Sequence, residues 1–352
     1  MKAHLVRRES NGSVHQAPAS LTGMVLAHEA RDAQGAIALE KGAIIGPSNV
    51  DALMALPWSE LHLVEPEPGE LYEDDAGLRI ANAAAGDGVE VGAFSAGSRP
   101  LVATRRGILD IHVDQLRRVN SVDGACIYTL YDGLIAEPGE IVARAKITPF
   151  VLAERCVREA ERAARDGGDG VMRVRPFVPM TVGAVVKESL GEKAMARFRD
   201  ALGRKITWFG SRLLEPSFVP PSAGAIADGI ESLVRNGAQV IMIAGAKAMD
   251  PLDPAFVALG RLGIGLDRFG VPAHPGSLFW MAHVRDVSIL GMPTCGLFSK
   301  ATVFDLVLPR VLAGERITNA ALAELGHGGM LTRDMAYRFP QYDPAKSRGA
   351  LE

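Results

Sequence analysis

The sequence predicts an α/β protein in which a mostly parallel sheet follows a smaller α+β region. After residue 170, apolar strands alternate with amphipathic helices, and this alternation is typical of a parallel sheet. A glycine-rich segment at 166–170 indicates a linker. The length of 352 residues predicts about two domains, at roughly 100–200 residues per domain. We therefore divide the chain into an N-terminal α+β region (1–170), an α/β domain (171–331) and a polar C-terminal tail (332–352).

The composition excludes several classes of protein. Hydrophobic residues make up 48% of the chain and charged residues 22%, which is typical of packed domains. The 38 Lys and Arg residues against 41 Asp and Glu residues give a net charge of -3, so the basic footprint of a nucleic-acid binder is missing. The three cysteines are far apart, and no apolar run reaches the roughly 18 residues of a membrane span. The start of the chain is polar, so we expect no secretory signal and a cytoplasmic protein that binds neither membrane nor nucleic acid.

The sequence of the N-terminal region predicts short strands separated by turns and followed by one helix. Apolar and β-branched runs predict the strands His62–Val64, Leu101–Thr104, Cys126–Leu130 and Ile141–Ile147. Apolar residues at helical spacing predict a helix from Pro149 to Arg165.

The α/β domain opens with a strand over Thr181–Lys187 and a helix over Glu192–Leu202 that we expect to end at Gly203. Lys205–Leu214 is predicted as the next strand. Ser222 is an expected N-cap for a helix that stops at 236–237, and Gln239–Ile243 is an apolar run typical of a strand buried on both faces.

The end of the domain reads as a hairpin and a helix. The predicted strands are Leu278–Met281 and Val287–Met292, joined by a turn at Arg285 and Asp286, and the helix covers Ser299–Ala313. In parallel sheets, ligands bind beyond the carboxyl ends of the strands. The loops after residues 187, 243 and 292 are therefore where we expect the functional site.

The loop after Ile243 combines small residues with charged ones. Gly245, Ala246 and Ala248 allow backbone N–H groups to approach an anion, and Lys247 follows the first two of them. Asp250 and Asp253 are three residues apart, and such carboxylates suit Mg²⁺. The alternative is an ordinary strand-to-helix loop in which one of the two aspartates caps the helix that begins near Pro254.

Two further loops carry weaker signals. Before the hairpin lie Pro275 and Gly276, and after it come Pro293, Thr294, Cys295 and Gly296, which lead into a helix N-terminus where an anion could bind. A plain Gly/Pro turn is the alternative, with Cys295 as a small packed residue and not a nucleophile. After the first strand, Glu188 or Ser189 could position a polar substrate, or Ser189 and Glu192 could form a helix capping box.

The order of these loops resembles the molybdopterin-binding domain of molybdenum cofactor biosynthesis proteins. That family has a TGDE-type loop, a GGxSxGxxD loop, a PG loop and a GLPGNP segment before a long helix. The similar stretches here are 187–190, 244–253, 275–276 and 291–296. Lys247 stands where the family has a serine, Met249 replaces a glycine, and Thr294-Cys295-Gly296 replaces GNP. The resemblance implies a three-layer α/β domain over 171–331.

The resemblance also implies roles for individual residues. Backbone N–H groups of Gly245–Ala248 and Thr294–Gly296 would bind the phosphate or pyrophosphate of molybdopterin or of its nucleotide form. Lys247 would add a positive charge, and Asp250 and Asp253 would hold Mg²⁺, with Asp253 facing the ligand in any metal-assisted step. Glu188, Ser189, Pro275, Gly276 and Pro293 would complete the binding site.

The function implied by this resemblance is molybdenum cofactor synthesis, modification or delivery, and two readings stay open. One is an enzyme similar to the molybdenumtransferases, acting with Mg²⁺ on an adenylylated pterin. The full insertases carry a further β-rich domain, whereas only about 20 residues follow Gly329 here. The other reading is a non-catalytic carrier or accessory protein for a molybdoenzyme such as a molybdenum hydroxylase. Relatives commonly self-associate, so we expect a homo-oligomer. A binding protein for another phosphorylated metabolite is the third alternative.

Overall fold

The structure, a computed structural model, describes residues 1–9, 13–14, 17–188, 190–245, 250–292 and 302–342. The chain forms two units. The first comprises Met1–Arg105, Leu109–Asp132 and Ala136–Val174, and the second comprises Arg106–Ile108, Gly133–Ile135 and Arg175–Glu352. None of the described helices is long and apolar enough to cross a membrane.

The chain up to Pro176 alternates short strands and helices. Their bounds are β1 Lys2–Arg7, β2 Val25–Leu26, β3 Ala30–Arg31, β4 Ile37–Leu39, α1 Val50–Ala55, β5 Glu60–Glu65, β6 Glu70–Tyr72, α2 Glu73–Ala84, β7 Val89–Val91, β8 Arg99–Ala103, β9 Gly107–Ile111, α3 Val113–Asn120, β10 Ala125–Thr129, β11 Ile135–Ala136, β12 Ile141–Ile147, β13 Val151–Ala153, α4 Glu154–Arg165 and β14 Met172–Pro176.

Antiparallel sheets organise the first unit. One has the order β1-β5-β2 and another the order β10-β12-β8-β7. The second sheet shares a buried core with α2 and α4, in which Ile80, Leu101 and Val157 are almost fully buried. The four strands predicted in this region are thus confirmed, with ends shifted by a few residues at most.

The helix predicted from Pro149 begins later, at Glu154. Val151–Ala153 is strand β13, which pairs with β6 and buries Val151. The β-branched valine and the pairing with a distant strand override the helical spacing at this point. The prediction was therefore wrong for the first turn and right for the remainder.

The second unit contains the two longest of the described helices and the large sheet. Its elements are β15 Thr181–Val186, α5 Glu192–Trp208, β16 Arg212–Leu213, β17 Ser217–Phe218, α6 Ala223–Arg235, β18 Val240–Ala244, α7 Pro254–Arg261, β19 Leu266–Phe269, β20 Trp280–Val284, β21 Val287–Met292, α8 Val303–Leu312 and α9 Asn319–Glu324.

The large sheet is mostly parallel, as the alternating pattern predicts. Its strand order is β16-β15-β18-β21-β20-β19, with β17 also paired to β15. The pairs made by β15, and the pair β18–β21, are parallel, whereas β20 runs antiparallel to both of its neighbours. Alternate strand residues enter two different cores. Val186 and Met242 share one with residues of α5 and α8, and Val185 and Ile243 share the other with residues of α6 and α7.

Helix α5 begins at Glu192, as predicted, but it ends later than predicted. It passes through Gly203 and ends at Trp208, so the strand expected over Lys205–Leu214 shrinks to β16. Lys205 and Ile206 are both buried, and these tertiary contacts outweigh the weak helix propensity of one glycine. At the start, Gly191 is the N-cap and Glu192 is the first helical residue, so the capping box expected from Ser189 and Glu192 is wrong.

The hairpin between β20 and β21 is confirmed. Val284 pairs with Val287 across a two-residue turn, in which Arg285 adopts a φ of 54°. Trp280 is fully buried, and its ring covers Gly291 on the adjacent strand. A Cβ built on Gly291 would lie 1.6 Å from Cε2 of that ring. Glycine at this position is therefore a packing requirement.

We expect Gly291→Ala to destabilise the protein by about 1–3 kcal/mol or more, because the rigid indole ring has to move within a packed core. Gly203→Ala is the matched control, since it lies inside α5 with nothing within 4 Å of its Cβ position. It should raise stability by about 0.5–1 kcal/mol. Urea unfolding followed by circular dichroism measures both changes, and equal stability of wild type and Gly291→Ala would contradict this packing argument.

Candidate functional site

Three neighbouring parallel strands end side by side in the second unit. Val186 at the end of β15 is paired with Ala244 of β18, and Ala244 is paired with Met292 of β21. The segments that follow therefore leave from one edge of the sheet. This confirms the expectation that the strands preceding the three candidate loops share a carboxyl edge.

Part of the predicted site lies outside the described residues. This applies to Ser189, to Ala246, Lys247 and Ala248, and to Pro293, Thr294, Cys295 and Gly296. Their assignment as ligand-binding residues stays a prediction. The described candidates are Glu188, Gly245, Asp250, Asp253, Pro275 and Gly276.

Glu188 and Gly245 lie against each other. Gly245 follows β18 directly with a φ of 90°, a conformation that favours glycine. A Cβ at this position would lie 2.8 Å from Cγ of Glu188. The absence of a side chain thus allows the exposed Glu188 to lie over the start of the β18 loop, so two of the three predicted loops are in contact.

A buried ion pair lies beside this contact. Lys187 follows β15, and its Nζ donates to both carboxylate oxygens of Asp253, at 2.6 and 2.5 Å. The two residues are only 7% and 2% exposed. Oδ1 of Asp253 also accepts a hydrogen bond from the backbone N–H of Ala255 at 2.9 Å, which makes Asp253 the N-cap of α7. The pair therefore joins the end of β15 to the start of α7.

Asp250 has a different environment. It is exposed, and its Oδ1 accepts a hydrogen bond from the N–H of Leu252 at 2.9 Å, while its carbonyl accepts one from the N–H of Asp253 at 3.0 Å. The capping role thus belongs to Asp253 and the exposed position to Asp250, which is the reverse of the division predicted from the sequence. The motif position of Asp253 implies a ligand-facing role, whereas the contact with Lys187, 66 residues away in the sequence, engages its carboxylate.

The described residues do not fit a Mg²⁺ site. Both oxygens of Asp253 face an ammonium group, and one of them also caps a helix. Within the described part of the chain, no group of three or more His, Cys, Asp or Glu side chains is arranged to hold a metal ion. The assignment of Mg²⁺ to Asp250 and Asp253 stays a prediction.

Pro275 and Gly276 pack against the first turn of α8. The carbonyl of Pro275 accepts a hydrogen bond from the N–H of Val303 at 3.2 Å. A Cβ on Gly276, whose φ is 116°, would lie 2.9 Å from that nitrogen. Thr302 and Asp305 form a capping box at the same helix end. This loop therefore lies at the N-terminus of the helix that follows β21 in sequence.

A second buried ion pair holds the start of α8. Asp305 is 1% exposed, and its Oδ1 accepts hydrogen bonds from Nζ of Lys205 at 2.7 Å and from the Tyr342 hydroxyl at 2.9 Å. Burial raises the pKa of Tyr342 well above its usual value, and the charge of Asp305 raises it further.

The roles of Lys187 and Lys205 as buried counterions were not predicted from the sequence. A signal was present for Lys187, because a lysine at the end of the apolar strand predicted over Thr181–Lys187 needs a counterion if it is buried. The identity of that counterion, 66 residues later, came only from the structure.

Comparisons with known proteins give limited similarity. No family model matches the chain, and no curated protein matches it. The molybdopterin biosynthesis MoeA protein from Pyrococcus horikosii is a structural neighbour with a TM-score of 0.30 and 13% identity, covering 70% of this chain and 79% of that chain. Molybdenum cofactor biosynthesis protein B is a second structural neighbour, with a TM-score of 0.27 and 11% identity. The match covers 43% of this chain and 93% of that chain. A molybdenum cofactor biosynthesis protein from Corynebacterium diphtheriae is a third, with a TM-score of 0.26 and 12% identity. The match covers 44% of this chain and 100% of that chain.

We expect Asp253→Asn to destabilise the protein by about 3–5 kcal/mol, because it leaves the ammonium group of Lys187 buried without a counter-charge. Asp250→Asn is the matched control. Its amide oxygen can still accept from Leu252, so the change should stay within about 0.5 kcal/mol. Replacing both partners, as in Lys187→Met with Asp253→Leu, should recover much of the loss. Chemical denaturation measures all three, and an Asp253→Asn variant as stable as Asp250→Asn would exclude a stabilising ion pair.

Tyr342 should make stability decrease with pH in the alkaline range. The pKa of Tyr342 is higher in the folded state than in the unfolded state, where it is about 10. The stabilisation by the neutral hydroxyl is therefore fully present below about pH 10 and is lost as the pH rises above it. Between pH 9 and about 11, wild type should therefore lose more unfolding free energy than Tyr342→Phe. Tyr337→Phe, at a partly exposed tyrosine, serves as the control. Identical pH slopes for wild type and Tyr342→Phe would contradict the buried phenol.

Proposed function

We propose that residues 171–331 form a three-layer molybdopterin-binding domain acting in molybdenum cofactor biosynthesis, modification or delivery. The observation that carries this proposal is the pairing of Val186, Ala244 and Met292, because it brings the starts of the three candidate loops to one edge of the sheet. The order of those loops along the chain is the one that resembles the family. Ligands of parallel α/β sheets bind at this edge.

The proposed ligand is molybdopterin or its nucleotide form. Its phosphate groups would bind the backbone N–H groups of Gly245–Ala248 and Thr294–Gly296, with Lys247 as the positively charged contact. Support comes from Gly245, whose left-handed conformation and contact with Glu188 give a close backbone turn directly after β18.

A carrier role is favoured over Mg²⁺-dependent transfer. The carboxylate of Asp253, the assigned catalytic and metal-binding residue, is bonded to Lys187 and to the first turn of α7. A carboxylate that is neutralised by an ammonium group is a poor ligand for a hard cation. We therefore propose that Asp253 holds the loop in place, and that the protein binds and delivers the pterin without a metal.

Isothermal titration with molybdopterin and with its adenylylated form tests this function. We expect binding in the micromolar range or tighter, and a loss of about tenfold to a hundredfold in Lys247→Ala, which corresponds to about 1–3 kcal/mol for a hydrogen bond to a charged group. Lys2→Ala, at an exposed lysine of β1 in the first unit, should bind as wild type does.

Three outcomes would contradict parts of this proposal. Failure of both pterin forms, together with binding of an unrelated phosphorylated metabolite, would exclude the family function. Unchanged affinity in Lys247→Ala would remove that lysine from the site. Affinity that increases with Mg²⁺, and that loses this increase in Asp250→Asn, would favour the metal-dependent enzyme over the carrier.

A further inference from the structure

An arginine-lined cleft lies in the first unit, independent of the proposed pterin site. It has a volume of about 1110 Å³ and lies between helix α4 and the turn at 67–70. Four arginines of α4 line it, namely Arg155, Arg158, Arg162 and Arg165, and all four are exposed. We refer to these four residues as the arginine stripe.

The spacing of the stripe places its members on one face of α4. Positions i, i+3, i+7 and i+10 of an α-helix fall within about 80° of each other, at 3.6 residues per turn. The buried residues Val157, Ala160 and Ala164 lie on the opposite side of the helix, where they join the core of the first unit. The stripe is therefore directed to solvent along about 15 Å of helix, at 1.5 Å per residue.

The acidic residues of α4 are already engaged by another helix. Arg79 of α2 donates to Glu161 at 2.6 and 3.0 Å and to Glu154 at 3.2 Å. The hydrogen bond from Arg79 keeps the pKa of Glu161 below its usual value, so this carboxylate stays ionised and paired. Arg158 takes part through a bond of 2.9 Å to Glu154. These two carboxylates are therefore too few to neutralise the four positive charges of the stripe.

The other three members of the stripe have unused hydrogen-bonding capacity. Across the part of the chain that the structure describes, Arg155, Arg162 and Arg165 form no hydrogen bond and no ion pair. This contrasts with exposed arginines on other helices, such as Arg117, which is paired with Asp114, and Arg204, which is paired with Asp200. Each guanidinium group offers a planar set of donors that fits a carboxylate in bidentate geometry.

The surroundings of the stripe favour a polypeptide over a nucleic acid. Glu67 and Glu70 lie on the facing wall of the cleft, and the exposed Glu159 flanks the stripe. The Met1 ammonium group pairs with Glu67 and Glu70, so Glu159 is the carboxylate that would repel a continuous phosphate backbone most, and the chain carries a net charge of -3. A peptide helix can place its acidic side chains on one face only, and so avoids this repulsion.

We propose that the arginine stripe docks an acidic helical segment of a partner protein, whose carboxylates repeat at the same spacing as the arginines. Each of Arg155, Arg162 and Arg165 then receives a carboxylate from the partner, since none of the three forms an ion pair with the described residues. The interaction is electrostatic and partly exposed, so its affinity falls as the ionic strength rises.

The test measures binding of a synthetic helical peptide to the full chain by fluorescence anisotropy at low salt. The peptide is alanine-based and labelled, and it carries glutamates at positions i, i+3, i+7 and i+10. We expect the peptide to bind wild type and its affinity to fall at least tenfold when Arg155, Arg162 and Arg165 are all changed to Gln. A control variant, in which Arg117, Arg197 and Arg204 are changed to Gln, removes the same charge from exposed positions of other helices. It should bind within twofold of wild type, and the glutamine version of the peptide should not bind.

Several results would overturn this proposal. One such result is that the acidic peptide does not bind wild type. Another is an equal loss of peptide affinity in both triple variants, since that would indicate a general charge effect. Binding of a single-stranded RNA probe that is lost in the stripe variant, without binding of the acidic peptide, would show that the surface serves a nucleic acid. Far-UV circular dichroism of both variants shows whether the fold is intact, and pterin titration is a separate measurement.

Discussion

The buried ion pair between Lys187 and Asp253 is the interaction on which the candidate site depends. It connects the residue after β15 to the N-cap of α7, so the loop between β18 and α7 is anchored at both ends against a neighbouring strand. Two charges withdrawn from water are tolerated here because each neutralises the other and because the carboxylate also accepts from a helix N–H. Removal of either partner alone would leave an uncompensated charge in the interior.

Lys205 and Asp305 repeat this arrangement at the start of α8. In both pairs the carboxylate serves a helix N-terminus, where the helix dipole favours a negative charge, and a lysine from another element supplies the counter-charge. Two helix starts in the second unit are therefore fixed by charge as well as by packing. The carboxylate of Asp253, used in this way, is not available to a metal ion.

Much of the second unit could be predicted from local sequence. The sequence predicts a strand at 181–187, a cap at Ser222 with its helix, and a two-residue turn at 285–286. All three are present, and the strand is one residue shorter than predicted. Each depends on neighbouring residues only: β-branched runs, a hydroxyl that accepts from a nearby N–H, and alternating apolar strands on either side of a tight turn. The parallel sheet follows from the alternation of such elements, and with it the edge at which the candidate loops begin.

The sequence by itself thus determined the class of fold and the position of the candidate loops, because both follow from periodicity over short stretches. Only the tertiary structure decided where α5 ends and which aspartate caps α7. Gly203 is an acceptable helix end in isolation, but the buried Lys205 and Ile206 continue the helix to Trp208. Asp250 and Asp253 are both plausible caps by spacing, and the choice depends on Lys187, which is distant in sequence and adjacent in space. Long-range charge pairing of this kind leaves no periodic signal in the sequence.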